Sequence, residues 1–366
     1  METFENIEQI NQILVEVSED KNKFNSIFQI LGFTLGNTLN TLFSYPGGKF
    51  KMENDLLNIV DNMVIERIEK TGKTYDTFID VFGGAAGSTL VMYQTLIFSG
   101  VRNFILNDID KDIYFSHKYC KENAEELIKE YCEIIRTKFI IPYGSVFLDL
   151  DTLTSIKCEL ISEYETYAKN NEFNIQRTMR FIFLRGLEYS ATLEYHKEGY
   201  HRFSKKIYCS RKIYGWIFNQ IPKISNLSKI YNEIDLQITN KNAFDILEDS
   251  RFKNNPNCLI NLDPPYIKED YKNIYSQEEL ENLTSNKLAD CRLDYNQPKF
   301  PHIELLQKFP NINFIYNNNQ HQVVTYYKEL SNSKNVLFPR KDTMIAKKNE
   351  SVRVIMEDIV YNNSLI

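Results

Sequence analysis

The sequence lacks the marks of membrane-spanning, disulfide-linked and zinc-binding proteins. No apolar run approaches the roughly 18 residues that a membrane span requires, and the acidic N-terminus shows no signal-peptide pattern. The six cysteines are scattered without a Cys-x-x-Cys pair, which is typical of reduced thiols in a cytoplasm and argues against a zinc site. The five histidines are equally dispersed, so the sequence predicts no metal centre and a cytoplasmic location.

An excess of positive charge is also absent. The net charge of −6 does not by itself indicate a nucleic-acid-binding protein, so local clusters of basic residues have to decide that question. The 366 residues, of which 43% are apolar, are enough for one large globular domain or two modest ones.

The most informative stretch that is present reads Leu-Ile-Asn-Leu-Asp-Pro-Pro-Tyr, at residues 259–266. Its apolar start predicts a buried strand of a parallel sheet, and the two prolines end that strand and stiffen the following loop. The loop would hold Asp263 and Tyr266 at the carboxyl edge of the sheet, where open α/β sheets bind ligands. The Asp263 carboxylate and the Pro264 carbonyl could accept hydrogen bonds from an exocyclic amine, and the Tyr266 ring could stack on a flat heterocycle. The alternative is a proline-rich turn without a chemical role.

Two glycine-rich segments precede this stretch. Residues 43–49, Phe-Ser-Tyr-Pro-Gly-Gly-Lys, combine a backbone that can approach a ligand closely with the cation of Lys49. Residues 78–98 predict a strand, a turn with three glycines and a helix, which is an arrangement that cradles a nucleotide or nucleoside. The glycine spacing fits neither the dinucleotide fingerprint nor a phosphate-binding P-loop. Each segment could also be a plain turn.

A second predicted strand, residues 103–106, runs into Asn-Asp-Ile-Asp. Asp108 directly follows this strand, about twenty residues after the glycine turn, which is where an acidic residue binds ribose hydroxyls. Asp108 and Asp110 could instead cap the helix that follows, and one could cap while the other binds.

Basic and aromatic residues alternate in residues 177–214, although the chain as a whole is acidic. This mixture suits contacts to phosphates and stacking on bases, and residues 196–201 predict a hairpin tip that could enter a groove. The alternative is a charged surface over a tyrosine-rich core. The predicted DNA-binding residues are Arg185, Lys197, Arg202, Lys205, Lys206, Arg211 and Lys212.

Taken in order, Phe-x-x-Pro-Gly-Gly-Lys, Phe-x-x-x-Phe-Gly-Gly-x-x-Gly, Asn-Asp-Ile-Asp and Asp-Pro-Pro-Tyr resemble the motifs of the Dam-type DNA adenine-N6 methyltransferases (D12 class, alpha group). The resemblance covers residues 43–361. Val81 stands where the family usually has proline. Residues 189–192, Tyr-Ser-Ala-Thr, stand where the family commonly has an Asn-Gly-containing stretch, so the family's target sequence cannot be transferred.

The resemblance implies an α/β, Rossmann-like fold of the S-adenosylmethionine-dependent methyltransferases, with a small, mainly helical target-recognition domain inserted into it. The expected organisation is an N-terminal helical extension at residues 1–40, a catalytic domain at 41–130 and 225–366, and the DNA-binding recognition domain at 131–224.

The resemblance also assigns roles by motif position. It gives S-adenosylmethionine as the cofactor, with Lys49 facing the cofactor's carboxylate and Asp108 its ribose. The implied cofactor-binding residues are Tyr45, Gly48, Lys49, Asp80, Phe82, Gly83, Gly84, Asp108 and Asp263. The implied catalytic residues are Asp263, Pro264, Pro265 and Tyr266.

The implied reaction transfers a methyl group to adenine N6 in double-stranded DNA, after the base has been flipped out of the helix. Three alternatives stay open: an RNA or cytosine-N4 methyltransferase with the same loop, a protein-glutamine methyltransferase, and a catalytically silent DNA-binding protein of the same fold. Glutamine methyltransferases usually carry Asn where this chain has Asp263. We expect a monomer of bacterial or phage origin, and whether it is paired with a cognate restriction endonuclease stays open.

Overall fold

The computed structural model describes residues 4–36, 41–43, 52–188, 194–207, 211–264, 304–305, 308–309, 312–319, 334–341 and 354–363. The chain divides into two compact units. The first comprises Met1–Gly47, Asp110–Glu194 and Tyr200–Ile234, and the second comprises Gly48–Ile109, Tyr195–Gly199 and Asp235–Ile366. In the described part, no helix is both long enough and apolar enough to cross a membrane.

The second unit is built on a seven-stranded sheet. Its strands are β1 (Thr77–Asp80), β2 (Asn103–Asn107), β5 (Gln237–Thr239), β6 (Cys258–Leu262), β7 (Asn313–Asn319), β8 (Lys334–Lys341) and β9 (Val354–Asn363). The spatial order is β5-β2-β1-β6-β7-β9-β8. The first five strands are mutually parallel, whereas β9 runs antiparallel to both β7 and β8.

The central strands are apolar because both faces of the sheet are covered. Residues of β1 and β6 are buried without exception, and Ile79 pairs with Ile105 on one side and Ile260 on the other. The helices of this unit are α3 (Glu53–Thr71), α4 (Gly87–Phe98) and α11 (Ala243–Glu248). One core cluster joins Ile79, Ile105 and Ile260 to α11 and β7.

The first unit is mainly helical. Its helices are α1 (Phe4–Glu16), α2 (Lys21–Leu35), α5 (Lys111–Glu122), α6 (Ala124–Ile135), a π-helical turn (Arg136–Ile140), α7 (Ile141–Tyr143), α8 (Leu150–Lys169), α9 (Ile175–Leu187) and α10 (Arg211–Glu233). The short strands β3 (Glu194–Tyr195) and β4 (His201–Arg202) form a separate two-stranded ribbon. Buried rings build the core, with Phe28 lying 6.3 Å from Tyr131 and 5.7 Å from Phe218 between ring centroids.

Several sequence predictions are confirmed, and one is wrong. The α/β class, the largely parallel sheet and the N-terminal helices are all present. Residues 244–247, whose pattern suggested a strand, instead form α11. The Asn242 side chain caps this helix by accepting a hydrogen bond from Phe244 N at 2.9 Å. Three apolar residues among four, Phe244, Ile246 and Leu247, fit either a strand or a helix, so the pattern could not decide.

The domain organisation expected from the sequence stays a prediction. In the structure, the chain passes from the second compact unit to the first after Ile109. The N-terminal helices belong to the first unit, where Gln220 of α10 donates a hydrogen bond to Leu42 O at 2.7 Å. A Cβ on Gly32 of α2 would lie 3.0 Å from Ile221. This close packing explains why the N-terminal segment is part of a larger helical unit.

Candidate active site

The polar residues predicted from the motifs collect at one edge of the sheet of the second unit. Asp80 ends β1, Asp108 directly follows β2, and Asp263 directly follows β6. These three strands are parallel neighbours or next neighbours. Because the carboxyl ends of parallel strands meet at the same edge, one crevice can be lined by residues far apart in the sequence.

The glycine turn after β1 packs directly against β2. Gly83 N donates to Asn107 O at 2.7 Å, and a Cβ on Gly83 would lie only 2.3 Å from Leu106 Cδ1. Gly84 and Ala86 both have left-handed backbones, with φ of 49° and 64°. A side chain at Gly83 would therefore require Leu106 to move, and the non-glycine Ala86 is held in a conformation that costs it energy.

Asp108 lies against this turn. Its carboxylate is half-buried, and Oδ2 accepts a hydrogen bond from Gly84 N at 2.9 Å. Asn240 fixes the backbone here by donating to Asp108 O at 2.7 Å and to Ile109 O at 2.9 Å. The carboxylate is thus held beside the backbone of the glycine turn.

Asp110 has a different task. Its Oδ1 accepts hydrogen bonds from Asp112 N at 2.9 Å and Ile113 N at 3.3 Å, which caps the N-terminus of α5. The expectation that one of the two acidic residues caps the helix is confirmed for Asp110. Ribose binding by Asp108 stays a prediction.

Two buried asparagines that the sequence did not single out brace the same edge. Asn107 is 1% exposed. Its Nδ2 donates to Val81 O and Lys241 O, both at 3.0 Å, and its Oδ1 accepts from Thr239 Oγ1 at 2.8 Å. These contacts join the ends of β1, β2 and β5.

Asn261 makes the corresponding connection on the other side of β1. Its Nδ2 donates to Asp80 Oδ1 at 2.9 Å, and its Oδ1 accepts from Asn317 Nδ2 at 3.1 Å. Asp80 is itself 1% exposed, and its Oδ2 accepts from Thr89 Oγ1 at 2.7 Å. Its predicted contact with the cofactor stays a prediction. The one signal for Asn261 in the sequence was a polar residue among the otherwise apolar residues of a strand.

The remaining motif residues are placed only in part. Asp263 is half-buried, Pro264 is buried, and Phe82 packs beside the core. Five predicted site residues lie outside the described part of the chain: Tyr45, Gly48, Lys49, Pro265 and Tyr266.

The predicted DNA-binding residues fall into three groups. Four of them are exposed, namely Lys197, Arg202, Lys205 and Lys206. Arg211 and Lys212 start α10, and their side chains lie outside the described part. Arg185 departs from the prediction because its side chain in α9 is 2% exposed, so it does not belong to an exposed basic surface.

A buried polar network holds β4, the strand that follows the hairpin tip. His201 Nε2 lies 2.7 Å from Asp110 Oδ2, and His201 N donates to the Tyr164 hydroxyl at 3.2 Å. Tyr164 donates to Asp112 Oδ2 at 2.7 Å, and Arg177 donates twice to Asp112 at 2.8 Å. Burial, and then the Asp112 charge, raises the pKa of Tyr164 well above its usual range, so this hydroxyl stays protonated and remains a donor.

The same network contains three possible metal ligands, because atoms of Asp110, Asp112 and His201 all lie within 4.8 Å of one another. The Arg177 guanidinium already neutralises Asp112, and backbone amides of α5 occupy Asp110 Oδ1. The chemistry of the cluster is that of an ion pair and a helix cap, and we assign no metal to it.

A buried ion pair lies where residues 188–206, part of the basic and aromatic stretch at residues 177–214, contact α8. Lys157, whose side chain is fully buried, places Nζ 2.9 Å from Glu188 Oε1 and donates to Lys206 O at 3.3 Å. Glu188 also accepts from Ser204 N at 3.1 Å. Burial lowers the pKa of Lys157, and the Glu188 carboxylate opposes that shift. The two ends of residues 188–206 are thereby tied to α8.

Two of the described cysteines, Cys132 and Cys258, are unsuited to covalent catalysis. Cys120, Cys132, Cys158 and Cys258 are free thiols, and burial raises the pKa of Cys132 and of Cys258 to about 12. A thiol with such a pKa is not ionised at neutral pH, and the thiolate is the nucleophile.

Comparison with known proteins gives one clear match. The family model described as D12 class N6 adenine-specific DNA methyltransferase matches residues 45–336, which is more than half of the chain. The matched range contains the glycine turn, Asp108 and Asp263. A search of curated proteins finds no match. With its motifs at one edge of a parallel sheet, the chain belongs to the D12 class N6 adenine-specific DNA methyltransferase family.

Proposed function

We propose that this adenine-N6 DNA methyltransferase takes its methyl group from S-adenosylmethionine bound at the carboxyl edge of the sheet. The observation that carries the proposal is the strand order. Numbered along the chain, the five parallel strands of the sheet lie in the order 3-2-1-4-5, which is that of a doubly wound, Rossmann-like sheet. The order reverses between β1 and β6, and such a switch point is where these sheets bind ligands. The glycine turn follows one of these strands and Asp263 follows the other.

The residues at this edge fit the proposed cofactor. The Gly83 position, where a Cβ would meet Leu106, leaves the backbone bare beside the crevice. The Asp108 carboxylate lies beside the glycine turn, where its Oδ2 accepts a hydrogen bond from Gly84 N, and carboxylate oxygens suit the two hydroxyls of a ribose. Lys49 would face the cofactor's carboxylate. When bound, S-adenosylmethionine supplies a methyl group on a positively charged sulfur.

Asp263 and Pro264 are the proposed acceptors for the adenine amine. An adenine inside a duplex cannot reach a loop at the edge of a sheet, so the base is flipped out. Hydrogen bonds from the amine to the Asp263 carboxylate and the Pro264 carbonyl increase the electron density on N6 and orient its lone pair. Tyr266 stacks on the base. Alignment of the nitrogen with the methyl group then supplies much of the rate enhancement, and no covalent enzyme intermediate is required.

The exposed residues Lys197, Arg202, Lys205 and Lys206 are the proposed phosphate contacts. They lie on or beside the hairpin, and its base is fixed by the Lys157–Glu188 pair. Phosphate contacts orient a protein on the duplex but do not read the sequence.

The proposed function is tested by incubating the purified chain with S-adenosylmethionine labelled in its methyl group and with duplex DNA, single-stranded DNA or RNA. We expect label in duplex DNA, recovered as N6-methyldeoxyadenosine in a mass analysis of the digested nucleosides. Label in RNA alone, or in N4-methylcytosine, would establish one of the alternative methyltransferases. Binding of the cofactor by titration without transfer to any substrate would establish the catalytically silent protein.

The phosphate contacts give a second prediction. Replacing Lys205 and Lys206 together by Ala removes two exposed charges, so the Michaelis constant for duplex DNA should rise. The slope of the logarithm of DNA affinity against the logarithm of salt concentration should become less steep by about 0.9 for each lost phosphate contact. The affinity for S-adenosylmethionine should not change.

A matched control is the double variant Lys23→Ala with Lys129→Ala, which removes the same charge from exposed positions in α2 and α6. It should keep the wild-type salt dependence. Equal behaviour of the two double variants would remove Lys205 and Lys206 from the DNA-binding surface.

A further inference from the structure

A line of buried polar side chains crosses three neighbouring strands just before the catalytic loop. It runs from Asp80 in β1 through Asn261 in β6 to Asn317 in β7, and these residues are 1%, 0% and 0% exposed. The hydrogen bonds that join them are 2.9 Å and 3.1 Å long. Thr89 of α4 donates the further bond to Asp80 at 2.7 Å.

The chemistry of these groups fixes the direction of every hydrogen bond in the line. Both carboxylate oxygens of Asp80 accept hydrogen bonds, Oδ1 from Asn261 Nδ2 and Oδ2 from Thr89 Oγ1, so Asn261 turns its NH₂ group towards Asp80. Its carbonyl oxygen then faces Asn317, which has to present its own NH₂ group. Neither amide can flip without placing two acceptors or two donors against each other. Thus Asp80 sets the orientation of both asparagines.

The line is connected to Asp263 through the strand itself. Side chains two residues apart lie on the same face of a strand, so Asp263 continues the face that carries Asn261. Val81 N also donates to Asn261 O at 3.1 Å, which fixes the main chain of β6 at this residue. Beyond Asp263 the prolines stiffen the loop. A shift of β6 at Asn261 would consequently move the Asp263 carboxylate.

An apolar residue at position 261 could be buried at a lower cost in free energy, because a buried amide is destabilising unless it is hydrogen-bonded. We propose that Asn261 and Asn317 are positioning residues for methyl transfer. They hold the Asp263 carboxylate in register with the end of β1 through the hydrogen bond from Asn261 to Asp80 and the hydrogen bond from Asn317 to Asn261. The proposal rests on the catalytic role proposed above for Asp263. It assigns a role in catalysis to two amides that do not touch the substrate.

The first test replaces Asn261 by Leu, which has the same number of side-chain heavy atoms and the same branching at Cγ but no hydrogen-bonding group. We expect kcat for duplex DNA to fall about 100-fold, the cost of a misplacement by about 1 Å in an active site. The dissociation constant of S-adenosylmethionine and the Michaelis constant for DNA should stay near the wild-type values.

Asn313 provides the matched control. It is also 0% exposed, belongs to the same sheet, and donates to Pro256 O at 2.9 Å and Cys258 O at 3.2 Å, near the opposite end of β6. The Asn313→Leu variant should lose thermal stability to a similar degree but keep its kcat. If Asn261→Leu and Asn313→Leu change kcat equally, the amides are structural only and the proposal is wrong.

The Asn261→Asp variant adds a pH signature. At high pH this variant places a second carboxylate beside Asp80. Among the described residues, Asp80 is the titratable group that the new carboxylate contacts. Repulsion between like charges, together with burial, favours protonation of such a pair. The protonated carboxyl can donate to Asp80 and accept from Asn317, which restores the line. Its kcat relative to wild type should therefore rise as the pH falls, whereas the ratio for Asn261→Leu should not.

Two further results are distinguishable: a failure of the variant to fold and a failure of the proposed function. If Asn261→Leu does not fold, Asn317→Leu removes only the last hydrogen bond of the line, and a wild-type kcat in that variant would contradict the proposal. Absence of methyl transfer by the wild-type protein would refute the proposed function itself, independently of any variant.

Discussion

Replacing Asp263 by Ala is expected to abolish methyl transfer while cofactor binding remains largely intact. The substitution removes the carboxylate that accepts a hydrogen bond from the adenine amine, and it leaves the glycine turn and Asp108 in place. Loss of one positioned catalytic group typically lowers a rate by a factor of about 100 to 10,000, so kcat should fall by at least the lower figure. The measurements are the single-turnover rate on duplex DNA and the dissociation constant of S-adenosylmethionine.

Asp245 offers the control for the change in charge. It is an exposed carboxylate in α11 of the same unit, and Asp245→Ala should transfer methyl groups at the wild-type rate. The Asp263→Asn variant keeps one carbonyl acceptor but loses the negative charge, so its rate should lie between those of Asp263→Ala and wild type. Full activity of Asp263→Ala would show that another group receives the amine.

Replacing Arg177 by Met is expected to cause the largest loss of stability. The Arg177 and Asp112 side chains are 3% and 4% exposed and form two hydrogen bonds of 2.8 Å. Removal of one partner leaves a buried carboxylate without its counter-charge, which typically costs about 3–5 kcal/mol. The guanidinium also lies over the Phe173 ring at 3.9 Å, and this contact is lost as well. Urea denaturation of the full chain, followed by fluorescence, measures the change in the free energy of unfolding.

Lys169 supplies the comparison. Its side chain is 61% exposed, and its ammonium group lies 3.7 Å from the Glu165 carboxylate in α8 of the same unit. Exposed ion pairs of this kind contribute about 0.3–0.5 kcal/mol, so Lys169→Met should be nearly neutral. An equally small effect of Arg177→Met would mean that the buried network adds little to the stability of the first unit.

The sequence alone identified the local units of the site. Each strand that ends in a site residue is a short apolar run followed by glycine, acid or proline, so β1, β2 and β6 could be read from adjacent residues. The glycine turn was equally clear, and its close packing against Leu106 means that a side chain at Gly83 would displace the Leu106 side chain. The family match over residues 45–336 agrees with the order of those motifs.

Contacts between distant residues were decided by the tertiary structure. Asn261 and Asp80 are 181 residues apart, and Asn107 and Lys241 are 134 apart, so no local pattern reveals that these polar groups satisfy one another. Whether Arg185 faces solvent depends on which helices pack around α9, and the assignment of α1 and α2 to the helical unit depends on α10. Backbone and turn preferences act between neighbours along the chain, and for that reason the sequence determined the strand ends and their chemistry. Burial and hydrogen-bond partners exist only after the chain has folded, and these decided which polar side chains support the site and which lie exposed.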